Sequence, residues 1–281
     1  MVIGLTVVAF ATSAPELLVS LQASLEGLTD ITFGNVVGSN IANIGLILGL
    51  SAIIFQLPAE RSVYRFDWLF MVFVTILMFF VLKFNDGFDF LSGGLFVILL
   101  VGYNYFKIKT SRSSFKKDNL DIDLSVSTDP IWKVLAFLLI GILGLRYGAL
   151  FFVESVADIA LDYGVSQRVI SVTVVAFGTS VPELVASIMA ARKNEKDLAI
   201  GNLVGSNIFN ILAVIGFTSL ITEIPLKDRN LLTFDYWWML GFSVLLFPLI
   251  GLVKRNSLGR VEGSILFLGY VLYIFLIFSK I

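Results

Sequence analysis

Along the chain, apolar residues fall into long uninterrupted runs rather than into the alternation of a half-buried strand or the narrow stripe of a surface helix. The runs lie near 2–26, 32–55, 66–82, 89–108, 131–157, 168–191, 198–221, 233–253 and 260–279. Each is long enough to cross about 30 Å of hydrocarbon as a helix. They are too long and continuous for barrel strands, and only helices or closed barrels satisfy their backbone polar groups in lipid. The pattern predicts an all-α membrane protein with nine transmembrane helices. The one sizeable hydrophilic stretch, 109–129, holds Arg112, Lys116, Lys117, Asp118, Asp121 and Asp123. It reads as a linker between a first membrane half, 1–108, and a second, 130–281.

Composition agrees with lipid as the main solvent. Of 281 residues, 57% are hydrophobic and 15% charged, where a soluble domain has about half and a quarter; mean hydropathy is +0.92. The net charge of -1 gives no basis for binding nucleic acid. The chain has neither cysteine nor histidine, which excludes disulfides, thiolate or imidazole metal sites, Ser-His-Asp catalysis and histidine proton relays. No basic region precedes the first apolar run, so no cleaved secretory signal is expected. Nothing points to an obligate protein partner.

Lysine and arginine set the expected orientation. With 109–129 in the cytoplasm, fourteen fall on the cytoplasmic side against five outside, Arg168 among the latter, and only Arg146 lies within a span. The expectation is a multi-pass plasma (inner) membrane protein with a cytoplasmic N-terminus and an outer C-terminus. Arg146 could snorkel, pair with Glu154 or mark a functional position; a structural role is expected.

A repeat organises the runs. VIGLTVVAFATSAPELLVS at 2–20 and VISVTVVAFGTSVPELVAS at 169–187 share thirteen of nineteen positions without a gap. At the same offset of 167, GNVVGSNIANI at 34–44 matches GNLVGSNIFNI at 201–211. Such a register over polar motifs marks an internal duplication. The copies begin at the first and sixth spans and so face opposite ways across the membrane. Inverted repeats mark secondary transporters, whose substrate sits near the midplane where the copies meet.

The repeat brings oxygen chemistry to membrane depth. Glu16 and Glu183 lie inside apolar runs, where an ionised carboxylate costs at least about 2.5 kcal/mol. Each follows a proline, Pro15 or Pro182, which removes a helical hydrogen bond and is expected to free carbonyls such as those of Ala9 and Ala176. Thr12 and Ser13 share the helix face of Glu16, as Thr179 and Ser180 share that of Glu183. In the next span Ser39 and Asn43 are four apart, as are Ser206 and Asn210. Carboxylates, amides, hydroxyls and carbonyls suit hard cations such as Ca2+, whereas softer metals want the missing imidazole or thiolate. Two carboxylates neutralise one Ca2+, and the same oxygens could hold Na+ ions instead. Lone Ser, Thr or Asn residues in membrane helices often bond their own backbone or glue helices together. Asn35, Asn40, Asn202 and Asn207 fit that plainer role, and Gly34/Gly38 and Gly201/Gly205 fit close helix packing. The two glutamates do not.

On these motifs, Ala-Thr-Ser-Ala-Pro-Glu and Gly-Thr-Ser-Val-Pro-Glu, each followed by Gly-Asn-x-x-Gly-Ser-Asn, the chain resembles the Ca2+/cation antiporter superfamily, specifically prokaryotic Na+/Ca2+ exchangers. The resemblance implies ion sites lined by Thr12, Ser13, Glu16, Ser39, Asn43, Thr179, Ser180, Glu183, Ser206 and Asn210, with the carbonyls of Ala9 and Ala176. It implies Ca2+ and Na+ as transported substrates in place of any cofactor. Proton-coupled relatives carry Asn-Ala-x-Glu at the glutamate, so Na+ is the expected coupling ion, with H+/Ca2+ antiport as the alternative. Relatives that use K+ carry Asp where this chain has Asn210. The family has ten spans, five per half, and here the first repeat has no span before it. A cation channel would need charged rings and a continuous pore. An intramembrane protease would need paired aspartates, Ser with His, or a metal motif, so enzymatic activity is not expected.

Overall fold

The structure, a computed structural model, describes residues 9–58, 63–115, 162–192, 196–251 and 257–279, together with isolated positions between 132 and 159. Arg146, Glu154, most of 131–157 and most of the 109–129 linker lie outside the described residues, as do 1–8. The described elements are helical apart from four two-residue strands. Among the described residues, six helices are long and apolar enough to span a membrane, and a bent pair makes a seventh if counted as one span.

In chain order these are the short α1 (Ala9–Thr12) and α2 (Ala14–Leu25), then α3 (Thr29–Ile54) and α4 (Arg65–Asn85), and α5 (Phe90–Phe115). After the linker come the bent pair α6 (Gln167–Thr179) and α7 (Val181–Arg192), then α8 (Ala199–Ile221), α9 (Leu231–Gly251) and α10 (Arg260–Phe278). Helix α5 continues to Phe115, so the first half runs several residues into the stretch expected as linker. Arg168, counted from sequence among the outer charges, is buried, and so is Lys107.

Two helices form the centre. In their most apolar windows α3 is 78% buried and α8 83%, against 28–39% in α4, α5, α9 and α10. The central pair carries the Gly-Asn-x-x-Gly-Ser-Asn motifs, and the outer helices present Leu69, Phe73, Phe80, Leu95, Ile98, Leu268 and Leu272 outward. Among hydrocarbon-facing helices, small residues permit the closest contacts. A Cβ at Gly38 would lie 2.6 Å from the Val172 backbone, so α3 and α6 touch main chain to main chain. A Cβ at Gly263 would lie 2.7 Å from the Gly49 carbonyl, which locks α10 of the second half against α3 of the first.

The halves interlock about a pseudo-twofold relationship. Strand β1 (Leu57–Pro58) pairs antiparallel with β4 (Ser257–Leu258), and β2 (Gly87–Phe88) pairs with β3 (Ile224–Pro225). Each half thus contributes one strand to each end of the molecule. Each half also holds, within itself, an equivalent cluster of buried charge. Tyr103 donates to Asp67 at 3.0 Å and Tyr273 to Asp235 at 3.0 Å. Lys107 completes the first cluster at 2.9 Å, and Arg168 the second, bridging Asp235 and Asp228. Pairing makes charge tolerable in a bundle interior.

Candidate functional site

The Thr-Ser-x-Pro-Glu motifs break their helices at equivalent places. Ser13 has φ -82° and ψ 5°, and Ser180 has φ -84° and ψ 4°. Helices α6 and α7 meet there at 41°. Proline offers no N–H to the carbonyl four residues earlier, which is that of Ala11 or Gly178. The expectation that Pro15 and Pro182 free the carbonyls of Ala9 and Ala176 is therefore corrected. Ala9 O accepts from Ser13 N at 3.0 Å and Ala176 O from Ser180 N at 3.2 Å.

The breaks turn both glutamates inward. Glu16 and Glu183 are each fully buried, and of the twelve residues singled out from sequence only Thr12 is more than marginally exposed. Ser13 Oγ donates across the repeats to Glu183 Oε1 at 3.3 Å, and Ser180 Oγ to Glu16 Oε1 at 3.4 Å. Each carboxylate is thus positioned by its own helix and held by the other repeat. Thr12 meets Ser206 Oγ at 3.4 Å, and Asn210 Nδ2 donates to Ser39 Oγ at 3.0 Å. These bonds bring residues of all four motifs together.

The central helices add amides. Asn43 and Asn210 lie in equivalent π-helical stretches, Ala42–Leu48 and Asn210–Ile215; such local widening often accompanies a functional site. Asn207 Oδ1 accepts Asn43 Nδ2 at 3.0 Å, and Asn40 Oδ1 accepts Asn210 Nδ2 at 3.1 Å. Asn40 and Asn207 are themselves fixed by each other's main chain, at 3.3 and 3.2 Å. The packing role read from sequence for these two asparagines thus has a consequence. With both amide nitrogens engaged, the carbonyl ends of Asn43 and Asn210 are left free.

Four buried oxygens have no hydrogen-bond partner among the described residues at this centre: Glu16 Oε2, Glu183 Oε2, Asn43 Oδ1 and Asn210 Oδ1. All are acceptors, and they form two pairs related by the repeat. Buried polar groups are otherwise satisfied in folded proteins, so this centre asks for positive charge. The hydroxyls fit the same demand. Thr12 and Ser39 donate to main-chain carbonyls three residues back, at 3.3 and 3.2 Å, which turns oxygen lone pairs outward. Among the described residues no three acidic or other strong metal-ligating side chains cluster. The candidate centre is one of two carboxylates and neutral oxygens.

Asp67 and Asp235 were not anticipated as buried charges. Their signal lay in Phe66-Asp67-Trp68 and Phe234-Asp235-Tyr236, which repeat at an offset of 168 rather than 167.

The chain matches the family model described as "Sodium/calcium exchanger protein" over residues 1–109 and 133–279. It is 34% identical over 285 residues to the putative antiporter CaxA of Alkalimonas amylolytica, covering 100% of this chain and 88% of the relative. Sodium/calcium exchanger MaX1 of Methanosarcina acetivorans is 33% identical over 314 residues, covering 99% and 88%. A solved structure of the sodium-calcium exchanger NCX_Mj, soaked with Na+ and Ca2+, superposes with a TM-score of 0.70 at 33% identity, over 97% of this chain and 85% of that one.

Proposed function

This chain belongs to the sodium/calcium exchanger protein family, and from that premise we propose that it is a calcium:cation antiporter whose ions compete for the centre between Glu16 and Glu183. The observation that carries the reading is the set of four orphaned acceptors, Glu16 Oε2, Glu183 Oε2, Asn43 Oδ1 and Asn210 Oδ1. Ca2+ takes six to eight oxygens at about 2.3–2.6 Å. The hydroxyls of Thr12, Ser13, Ser39, Thr179, Ser180 and Ser206 supply further ligands. The Ala9 and Ala176 carbonyls already accept from the Ser13 and Ser180 N–H groups, and Ala9 also from the Thr12 hydroxyl, so the centre rests on side-chain oxygens.

Charge explains exchange. Two carboxylates in a low-dielectric centre are neutralised by one Ca2+ or by two Na+, and the same oxygens cannot serve both at once. An emptied centre holds two unbalanced charges, so reorientation is favoured only when loaded. Na+ is the coupling ion in this reading, supported by the Thr-Ser-x-Pro-Glu motifs and by an amide rather than a carboxylate at Asn210; H+ is the alternative. The lysine and arginine distribution supports a cytoplasmic N-terminus and linker.

The test is Ca2+ uptake into proteoliposomes driven by an outward Na+ gradient, set beside K+, Li+ and H+ gradients of equal size. Uptake driven by Na+ alone supports the reading. A proton gradient that drives uptake better than Na+ overturns the coupling, and uptake that needs no counter-ion overturns antiport.

A further inference from the structure

The two repeats differ at the ion centre in how each engages the asparagine of its central helix that lies four residues before the motif serine. In the first repeat Asn35 Nδ2 donates to Ser20 Oγ at 3.0 Å and to the Glu16 carbonyl at 3.3 Å. Its Oδ1 accepts from Thr179 of the second repeat at 3.0 Å. One amide thus ties the turn that carries Glu16 to a threonine of the opposite repeat.

The second repeat has the same parts at the same offset: Asn202, Ser187, the Glu183 carbonyl, and Thr12 across the interface. There the connection is open. Asn202 Nδ2, Asn202 Oδ1 and Ser187 Oγ have no hydrogen-bond partner among the described residues, although Asn202 is 3% exposed and Ser187 fully buried. Thr12 turns to Ser206 and to its own helix instead. The residues are of identical type at both ends, and they are arranged differently here. A buried amide left unpaired is unfavourable, and an arrangement that pairs it at one end only is one of two related states.

We propose that Asn35 and Asn202 are alternating latches, one closed in each of the two oppositely facing conformations of the transporter; this rests on the antiport reading above. An inverted repeat relates the inward-open and outward-open states by exchanging the roles of its halves. The state opposite to this one therefore has Asn202 closed on Ser187, the Glu183 carbonyl and Thr12, and Asn35 released. The exchange also changes the ion centre. A closed latch engages the hydroxyl of Thr179 or Thr12, and an open one leaves that hydroxyl to its neighbours, as Thr12 now is to Ser206. Asn35 and Asn202 are positioning residues in this scheme, acting through the glutamate turns and the threonines.

The chain has no cysteine, so a single introduced thiol reports accessibility. Gly148 lines a cavity with Pro15, Val19, Phe152 and Thr179, and a Cβ added there meets nothing within 4 Å. The experiment measures labelling of Gly148→Cys by a membrane-impermeant maleimide added to either face of oriented proteoliposomes, read as the ratio of the two rates. Removing the closed latch with Asn35→Ala shifts the ratio on the order of fivefold one way, and Asn202→Ala shifts it comparably the other way, as expected for one net hydrogen bond. Ser20→Ala follows Asn35→Ala in sign and Ser187→Ala follows Asn202→Ala, which keeps the test intact where an asparagine variant fails to fold. The combined Asn35→Ala/Asn202→Ala chain returns towards the unsubstituted ratio. Shifts in the same direction, or no shift in either series, overturn the latches, since a purely structural loss has no reason to be reciprocal. Labelling needs no Ca2+ flux, so its failure leaves Na+-driven uptake standing, and failure of that uptake leaves the labelling result readable.

Discussion

Ser13 of the first repeat donates its hydroxyl to the Glu183 carboxylate of the second at 3.3 Å. Ser180 returns the same contact to Glu16 at 3.4 Å. Neither carboxylate is oriented by its own repeat alone, so the centre exists only when the two inverted halves are docked. A duplication that kept both motifs in register keeps this reciprocity, and it places one charge from each half against a shared ion.

The carboxylates come first among the consequences. Glu16→Gln and Glu183→Gln each leave a divalent ion with one uncompensated charge in a low-dielectric centre. Each is expected to abolish Ca2+ transport in proteoliposomes while the purified protein keeps its helical content and monodispersity. Near-normal uptake in both variants removes the glutamates from the site.

Asn40 and Asn207 are expected to matter without touching an ion. Each holds the amide nitrogen of Asn210 or Asn43 and so fixes which end of that amide faces the centre. Asn40→Ala releases Asn210 to rotate and should weaken apparent Ca2+ affinity about fivefold, one net hydrogen bond. Asn210→Ala should weaken it by at least as much. Unchanged affinity in Asn40→Ala with a strong effect in Asn210→Ala assigns Asn40 to packing alone.

The Arg168 cluster gives a stability prediction. Arg168 is 8% exposed and Asp235 fully buried, and breaking a buried pair costs about 3–5 kcal/mol because one charge is left alone. Arg168→Leu should therefore lower the unfolding temperature in detergent markedly, and Arg168→Leu combined with Asp235→Leu should recover much of the loss. A double variant no more stable than the single one contradicts the charge argument and points to packing of the guanidinium.

What could be read from sequence follows from what the duplication preserved. The glutamates, their serines and threonines and the central asparagines repeat at a constant offset, so pattern alone brought them together. Asp67 and Asp235 repeat one residue out of step, and their tyrosines, Tyr103 and Tyr273, at an offset of 170, so that symmetry was hidden. Lys107 and Arg168 lie at the ends of apolar runs, where hydropathy cannot tell a loop charge from one folded back onto a buried aspartate. The proline argument named the wrong carbonyls because a helical bond is lost four residues before the proline, not where a ligand is wanted. The open state of Asn202 could not be read at all, because Asn35 is the same residue in the same motif.

The central claim is that Ca2+ and Na+ occupy one centre by turns. Its most direct test is equilibrium binding of 45Ca2+ to the purified protein across a series of Na+ concentrations, with Glu183→Gln as the control. Na+ should displace Ca2+ completely, the apparent Ca2+ dissociation constant should rise with more than the first power of Na+, and the Glu183→Gln protein should bind little Ca2+ at any Na+ concentration. Saturating Na+ that leaves Ca2+ binding intact, or full binding by the Glu183→Gln protein, would contradict a shared site.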